Sequence, residues 1–344
     1  MEINTVVNRL KSLALQIFPR PALQDSSRLS SDSKQAVDEL LMFLVRYRVP
    51  LIHWLGAGDS DENSKSRDDV LRFFVSRTQK LIYIRNQFII LKKGDQKNLK
   101  TLYEGFLDGL YDTLREAPDQ NQLPRDLEVF LGNHQAHLLG FFKSLSDSNP
   151  GLRRDFLLQA LPCHEYSPQR QLQILGAEAD SLLEPILDMG CGARGVLVQY
   201  LRDMGKKAFG IDRVVEKGYF LMEADWLDHP LKAEYWGTVI AHLGFSNHFL
   251  HHHLRKDGEP DRYARKYMEI LHALKPGGSF LYAPGLPFIE NLLPNDEYDL
   301  LRLPIPELIA SPADDLIRKA HGTSILYSCR VFKKKRERIT RRKG

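Results

Sequence analysis

Residues 186–195 read ILDMGCGARG. A short apolar run ends in Asp188. The glycines Gly190, Gly192 and Gly195 follow in a G-x-G-x-x-G spacing, and VLVQYL then opens a helical pattern. Glycine is required where a turn needs positive φ or where backbone must touch a ligand. The helix start beyond it offers free N–H groups and the positive end of a dipole. Strand, glycine turn and helix in this order make a ligand-binding βα unit, and alone they fit more than one nucleoside cofactor.

Downstream of about residue 180, short apolar runs alternate with helical stretches. Strands are expected at Ile186–Asp188, Lys207–Asp212, Tyr219–Glu223, within Trp236–Phe245 and at Ser279–Ala283. Helices are expected at Val196–Met204 and Arg262–Leu274, the latter with Tyr263, Tyr267, Ile270, Leu271 and Leu274 on one face. Such alternation implies an α/β fold, a Rossmann-like doubly wound parallel sheet. Asp299–Ile305 and Ser324–Phe332 read as two late strands pairing at the sheet edge.

Upstream, residues 1–160 carry the 3.6-residue apolar period throughout and read as an all-α domain of five or six helices. One stripe is Leu99, Leu102, Phe106, Leu110 and Leu114; another is Leu127, Leu131, Leu138, Phe142 and Leu145, with His134 among them. A third, DELLMFLVRYRVPLIHWL, is expected to break at Pro50, and turns are expected at 56–66, 92–96 and 117–124. The 344 residues therefore divide into a helical domain (1–160), an α/β domain (161–332) and a basic tail (333–344).

Composition narrows the setting. Hydrophobic residues make up 43% and charged residues 27%, as in globular proteins. No run of 18 apolar residues occurs, so no membrane partner is expected. Three cysteines, Cys163, Cys191 and Cys329, are too few for a disulfide framework and fit a reducing cytoplasm. Residues 330–344 hold nine Lys or Arg against one Glu, which leaves the rest of the +4 chain mildly acidic. That stretch is either a solvated terminus or a contact for nucleic acid.

Three carboxylates surround the glycine turn. Asp188 ends the first strand and can order the turn or face a cationic amino-acid moiety. Asp212 ends the second and can accept both ribose hydroxyls. Asp225-Trp226, after the third, can hydrogen-bond and stack on a purine. Each Asp alone also suits a helix cap or turn. LDMGCGARG, the acid of GID at 212, ADW at 224–226 and LKPGG at 274–278 together resemble the class I S-adenosylmethionine-dependent methyltransferases over about residues 166–332. The resemblance implies S-adenosyl-L-methionine as cofactor. Its methionine part would lie on Asp188, Gly190, Cys191 and Gly192, its ribose on Asp212 with Arg213 beside it, and its adenine on Asp225 and Trp226. YSPQRQLQIL from Tyr166 looks like the helix that covers the cofactor.

The acceptor in such a fold sits over the carboxyl ends of strands four and five. That segment holds His242, His248, His251, His252 and His253. His248, His251 and His252 share one helical face. Histidine suits the proton transfer that methylation of a hydroxyl requires, and the expected order of candidates is His248, then His252 and His242. A solvated polar helix and a histidine metal site are the competing readings. Asp257 and Glu259 follow, but nothing well spaced completes a metal set, so no metal is expected. No Asn-Pro-Pro-Tyr or Pro-Cys signature of nucleic-acid base methylation follows the fourth strand; Pro162-Cys163 precedes the fold. Phe245, Phe249, Tyr282 and Phe288 are expected on the rim of a pocket for a ring-bearing small molecule. An RNA methyltransferase using the basic tail, or a non-catalytic scaffold, are the alternatives. The helical domain would cap the acceptor or mediate a homodimer.

Overall fold

The computed structural model of the chain describes residues 3–18, 31–56, 62–85, 91–117, 121–147, 166–215, 218–256, 258–305 and 322–335, with single positions between them. The chain folds as two compact units, Met1–Cys163 and His164–Gly344. In the first unit the described helices are α1 (Ile3–Ile17), α2 (Ser31–Arg46), α3 (Arg48–Leu55), α4 (Glu62–Arg85), α5 (Lys93–Glu116) and α6 (Leu123–Asp147). The two leucine-rich stripes are its core: Leu99, Phe106, Leu110 and Leu114 of α5 and Leu127, Leu131, Leu138, Phe142 and Leu145 of α6 are buried, and Leu102 packs against them partly buried.

Three breaks differ from the sequence expectation, the first being residues 62–66, which open α4 rather than extend the turn. The chain turns at Tyr47 rather than Pro50, because Pro50 falls in the first turn of α3, where a missing N–H costs nothing. Residues 93–96, expected as a turn, begin α5; the Asp95 carboxylate accepts from the Lys92 N–H at 2.9 Å and caps it.

The second unit is built on β1 (Ile186–Met189), β2 (Ala208–Asp212), β3 (Leu221–Glu223), β4 (Trp236–His242), β5 (Leu274–Ala283), β6 (Tyr298–Pro304) and β7 (Tyr327–Lys333). They form one sheet in the order β3-β2-β1-β4-β5-β7-β6. The first five pair in parallel, and β7 lies antiparallel between β5 and β6. The expected doubly wound sheet with a late edge pair is what is present. Helices α7 (Pro168–Ile174) and α8 (Val196–Asp203) cover one face, over Ile186, Ala208, Ile240 and Leu281. Helices α9 (Gly244–His253) and α10 (Pro260–Ala273) cover the other, over Leu187, Val239, Phe280 and Tyr282, and a short α11 (Pro287–Glu290) follows β5. The two sets alternate along each strand, as a period of two requires.

Strand order reverses between β1 and β4, so the crevice at their carboxyl ends is where this architecture takes ligands. β7 runs the other way, which puts residues 333–335 at the opposite end of the sheet. There Lys333 Nζ donates to the Leu274 carbonyl (2.8 Å), and Lys334 Nζ pairs with Asp299 (3.1 Å). The remainder of the basic stretch, Asp257, Cys163 and the junction near residue 160 lie outside the described residues. No described helix is long and apolar enough to cross a membrane.

In the helical unit, His134 is 3% exposed among Phe18, Tyr103 and Phe106, and its Nε2 has no hydrogen-bond partner among the described residues. Burial, with His137 adding a smaller push, holds its imidazole down to about 3. The unfolded chain therefore takes up a proton that the folded one refuses. The stability of this unit should be intact above about pH 6.5 and fall as pH drops toward 3. Amide exchange across α6 should show that slope, and His134→Leu should flatten it.

Candidate functional site

The turn after β1 is built by three left-handed glycines, with φ of +82° at Gly190, +75° at Gly192 and +56° at Gly195. Gly190 donates to the Ile211 carbonyl at 2.9 Å, which ties the turn to β2. Asp212 completes the tie: its Oδ2 accepts from Gly192 N–H (3.0 Å) and its Oδ1 from Val214 N–H (3.1 Å). The first residues of α9 approach from the other side of the crevice. A Cβ added to Gly190 would find the Gly244 Cα 3.9 Å away and nothing nearer, so a cradle for a ligand is left between the two glycines.

Asp188 is 2% exposed, and no hydrogen bond to its carboxylate is present among the described residues. Desolvation, with the neighbouring Asp212 charge second, pushes it up to about 7. A buried acid in this state calls for a cation. The α-ammonium of an amino-acid ligand supplies one, and Asp212 has the chemistry for ribose hydroxyls. The residues therefore fit S-adenosylmethionine. Cys191 lies under the turn as packing: its Sγ is where a Cβ on Gly210 would clash, at 2.7 Å, and burial raises its thiol.

Other expected site residues fall differently. Asp225 closes a turn, accepting from Leu227 N–H at 2.9 Å. Trp226 is 6% exposed and packs against Phe245, His248 and Tyr263, so its ring is a wall of the core rather than an open stacking face. Arg213 is half-buried, near enough to His248 and Tyr263 for its charge to act on both.

The expectation for α9 requires correction. Of the three histidines expected on one face, His248 and His252 are buried with Phe245 and Phe249 in the core, and His251 is only half-buried. Phe245 is wholly buried and Phe249 stacks on Tyr263 at 5.7 Å. His248 is held well below its ordinary value, chiefly by burial. His252 stacks on Tyr263 at 4.7 Å, and its Nδ1 accepts from the Glu259 N–H at 3.1 Å, holding the start of α10. Both imidazoles are buried, 5% and 7% exposed. Tyr282 is likewise interior, because alternation along β5 turns it toward α10; Phe245, Phe249 and Tyr282 are core, not pocket rim. Phe288 lies at the edge of that core, its ring stacked on His253 at 3.8 Å. No group of three His, Cys, Asp or Glu among the described residues is arranged to hold a metal.

His242 is the histidine at the crevice. It ends β4 and pairs with Ala283 of β5. By alternation it lies on the same sheet face as Ile240, Ile186 and Asp188. Burial holds it down to about 4, and its Nε2 is buried without a hydrogen-bond partner among the described residues. The next residue, Leu243, has φ +55°, a left-handed conformation that a leucine adopts only under constraint. Its N–H donates to the Ala283 carbonyl at 3.1 Å, and the bend brings Gly244 against Gly190.

A second constellation had no sequence signal. The Glu290 side chain is fully buried and accepts from Tyr282 Oη (2.8 Å), Tyr327 Oη (2.7 Å), Leu286 N–H (2.6 Å) and Arg302 Nε (2.7 Å). One carboxylate thus joins β5, β6, β7 and the loop between. Gly285 is obligatory there, since a Cβ would lie 2.0 Å from Tyr327 Cζ.

No protein-family model matches the chain, and no curated protein matches it by sequence. Solved structures do. An S-adenosylmethionine-dependent methyltransferase from Mesorhizobium loti is 21% identical, with 31% of this chain and 54% of that one covered and a TM-score of 0.22. One from Archaeoglobus fulgidus is 16% identical over 43% of this chain and 85% of that one, TM-score 0.28. The glycopeptide N-methyltransferase MtfA, solved with S-adenosyl-L-homocysteine, is 14% identical over 49% and 87%, TM-score 0.27. The chain thus spans about half the length of the first. Fold and turn define a doubly wound α/β domain. The solved proteins similar to it are S-adenosylmethionine-dependent methyltransferases, the class its motifs resemble.

Two measurements test this site. Affinity for S-adenosylmethionine should fall about tenfold per pH unit below about 7, as Asp188 takes up its proton, and Asp188→Asn should weaken binding and remove that slope. Glu290→Ala, which strands three buried donors, should lower unfolding stability by about 3 kcal/mol in urea titrations.

Proposed function

We propose that this chain is an S-adenosylmethionine-dependent methyltransferase acting on an oxygen, or else a nitrogen, of a small molecule. The observation that carries the reading is the pairing of a buried Asp188, its carboxyl pushed up by desolvation, with the 190–195 turn gripped by Asp212, at the point where strand order reverses. When bound, the cofactor supplies an electrophilic methyl group on a sulfonium. Asp188 would hold the amino-acid end, and Asp212 would keep its hydrogen bonds to the turn while its remaining lone pairs accept from the ribose hydroxyls. His242 is the acceptor-handling group. Uncharged at neutral pH, it accepts a hydrogen bond from the acceptor and takes the proton that leaves as the new bond to carbon forms. Aiming the acceptor along the methyl–sulfur axis is the larger contribution such a site makes.

RNA as acceptor gains no support from the basic stretch, which starts at the sheet end away from the crevice. A homodimer through the helical unit stays an expectation from the sequence.

Calorimetry should detect S-adenosylmethionine binding at micromolar to millimolar concentration, and no binding at millimolar ligand would sink the proposal. With an acceptor in hand, His242→Ala should lower kcat about a hundredfold and leave cofactor affinity within twofold. His252→Ala should act on stability, through the start of α10. Cofactor binding with no turnover against any acceptor would favour the scaffold alternative.

A further inference from the structure

Tyr166 stands immediately before α7, and its ring meets the His242 imidazole edge to face, centroids 5.3 Å apart at 78°. The contact is not incidental to a loose segment, because the backbone at Tyr166 is tied down. Gln171, itself buried, donates from Nε2 to the Tyr166 carbonyl at 2.9 Å. Ser167 accepts from Arg170 N–H at 3.3 Å and caps the helix, and Pro168 sets its first turn. Leu172, Ile174 and Leu175 root this segment in the same sheet face that carries Ile186 and Ile240. The ring nevertheless keeps 36% of its surface exposed.

The arrangement answers a question that His242 raises. A buried imidazole nitrogen without a hydrogen-bond partner is costly. Here the neighbour is an aromatic ring. It excludes water and fixes the tilt of the imidazole, yet takes up none of its hydrogen-bonding capacity. Burial is the one cause of the depressed basicity of His242, with no charged group contributing. Water exclusion at this spot is therefore what sets the state of the imidazole.

We infer that Tyr166 is the positioning residue of the acceptor site: its ring shields and orients His242 so that Nε2 is reserved for a proton-bearing group of the acceptor. The inference rests on the methyltransferase reading of the same crevice and narrows the acceptor class. A desolvated imidazole kept free in this way selects a neutral molecule presenting O–H or N–H and discriminates against analogues that lack the donor.

The test uses the full chain and two kinds of readout. Imidazole nitrogen shifts of His242, followed by NMR through a pH titration of the free protein, need no acceptor. Tyr166→Phe should titrate as the wild type does. Tyr166→Ala should move the His242 midpoint upward by more than one pH unit toward 6.5, whereas Tyr166→Leu, which keeps apolar bulk but no ring, should leave it near the wild-type value. The same two variants should lower kcat/KM about tenfold or more, with cofactor affinity within twofold of wild type. An unmoved His242 midpoint in Tyr166→Ala, or one that moves equally in Tyr166→Leu, would overturn the inference. A midpoint that moves as expected, with no turnover by the wild type on any O–H or N–H acceptor, keeps Tyr166 as the shield of His242 and overturns the methyltransferase reading instead.

Discussion

The second unit depends on one short contact between neighbouring strands, the Asp212 carboxylate accepting from the Gly192 N–H while Gly190 donates to the Ile211 carbonyl. A turn with three left-handed glycines has little intrinsic preference for any one shape. The bonds to the end of β2 select a shape, and α8 starts from it. With the turn held, Gly190 can stand against Gly244 and the crevice has two glycine walls. The rest of the site is hung on that geometry: Asp188 below it, His242 across from it, Tyr166 over the far side.

The two carboxylates of the crevice are in contrasting states for one physical reason. Asp212 is satisfied by backbone donors, whereas Asp188 is enclosed with none and sits beside the Asp212 charge. Opposed environments on adjacent acids give them different character, one held by backbone donors and one desolvated. His242 at the end of β4 and Glu290 at the end of α11 repeat the contrast. The imidazole Nε2 has no hydrogen-bond partner among the described residues, while the carboxylate is saturated with four donors.

Much of the fold was legible in the sequence because its signals are local. The glycine turn, the helix starts and the apolar stripes of α5, α6 and α10 need no distant partner to be read. The site was legible where it coincided with that turn and illegible where it depended on direction. His248, His251 and His252 announce one face of α9, but spacing alone does not say whether that face looks at solvent or at the sheet. Histidine, as willing to stack on Tyr263 as to meet water, does not break the tie. Tyr282 was misread for a related reason: a one-residue difference along β5 exchanges crevice for core. Glu290 gathers donors from residues 8, 12 and 37 positions away, and no window of sequence contains such a network. Leu243 carries its constraint in a dihedral angle, which an ordinary leucine does not advertise.

The reversed direction of β7 divides the α/β unit into two poles. Ligand chemistry gathers at the carboxyl ends of β1 and β4, and the basic stretch departs from the other pole, beyond Lys333 and Lys334 anchored on Leu274 and Asp299. The last described residues, 333–335, leave the sheet at the end away from the glycine turn, so an attachment made at them is anchored a full strand length from the carboxyl ends of β1 and β4.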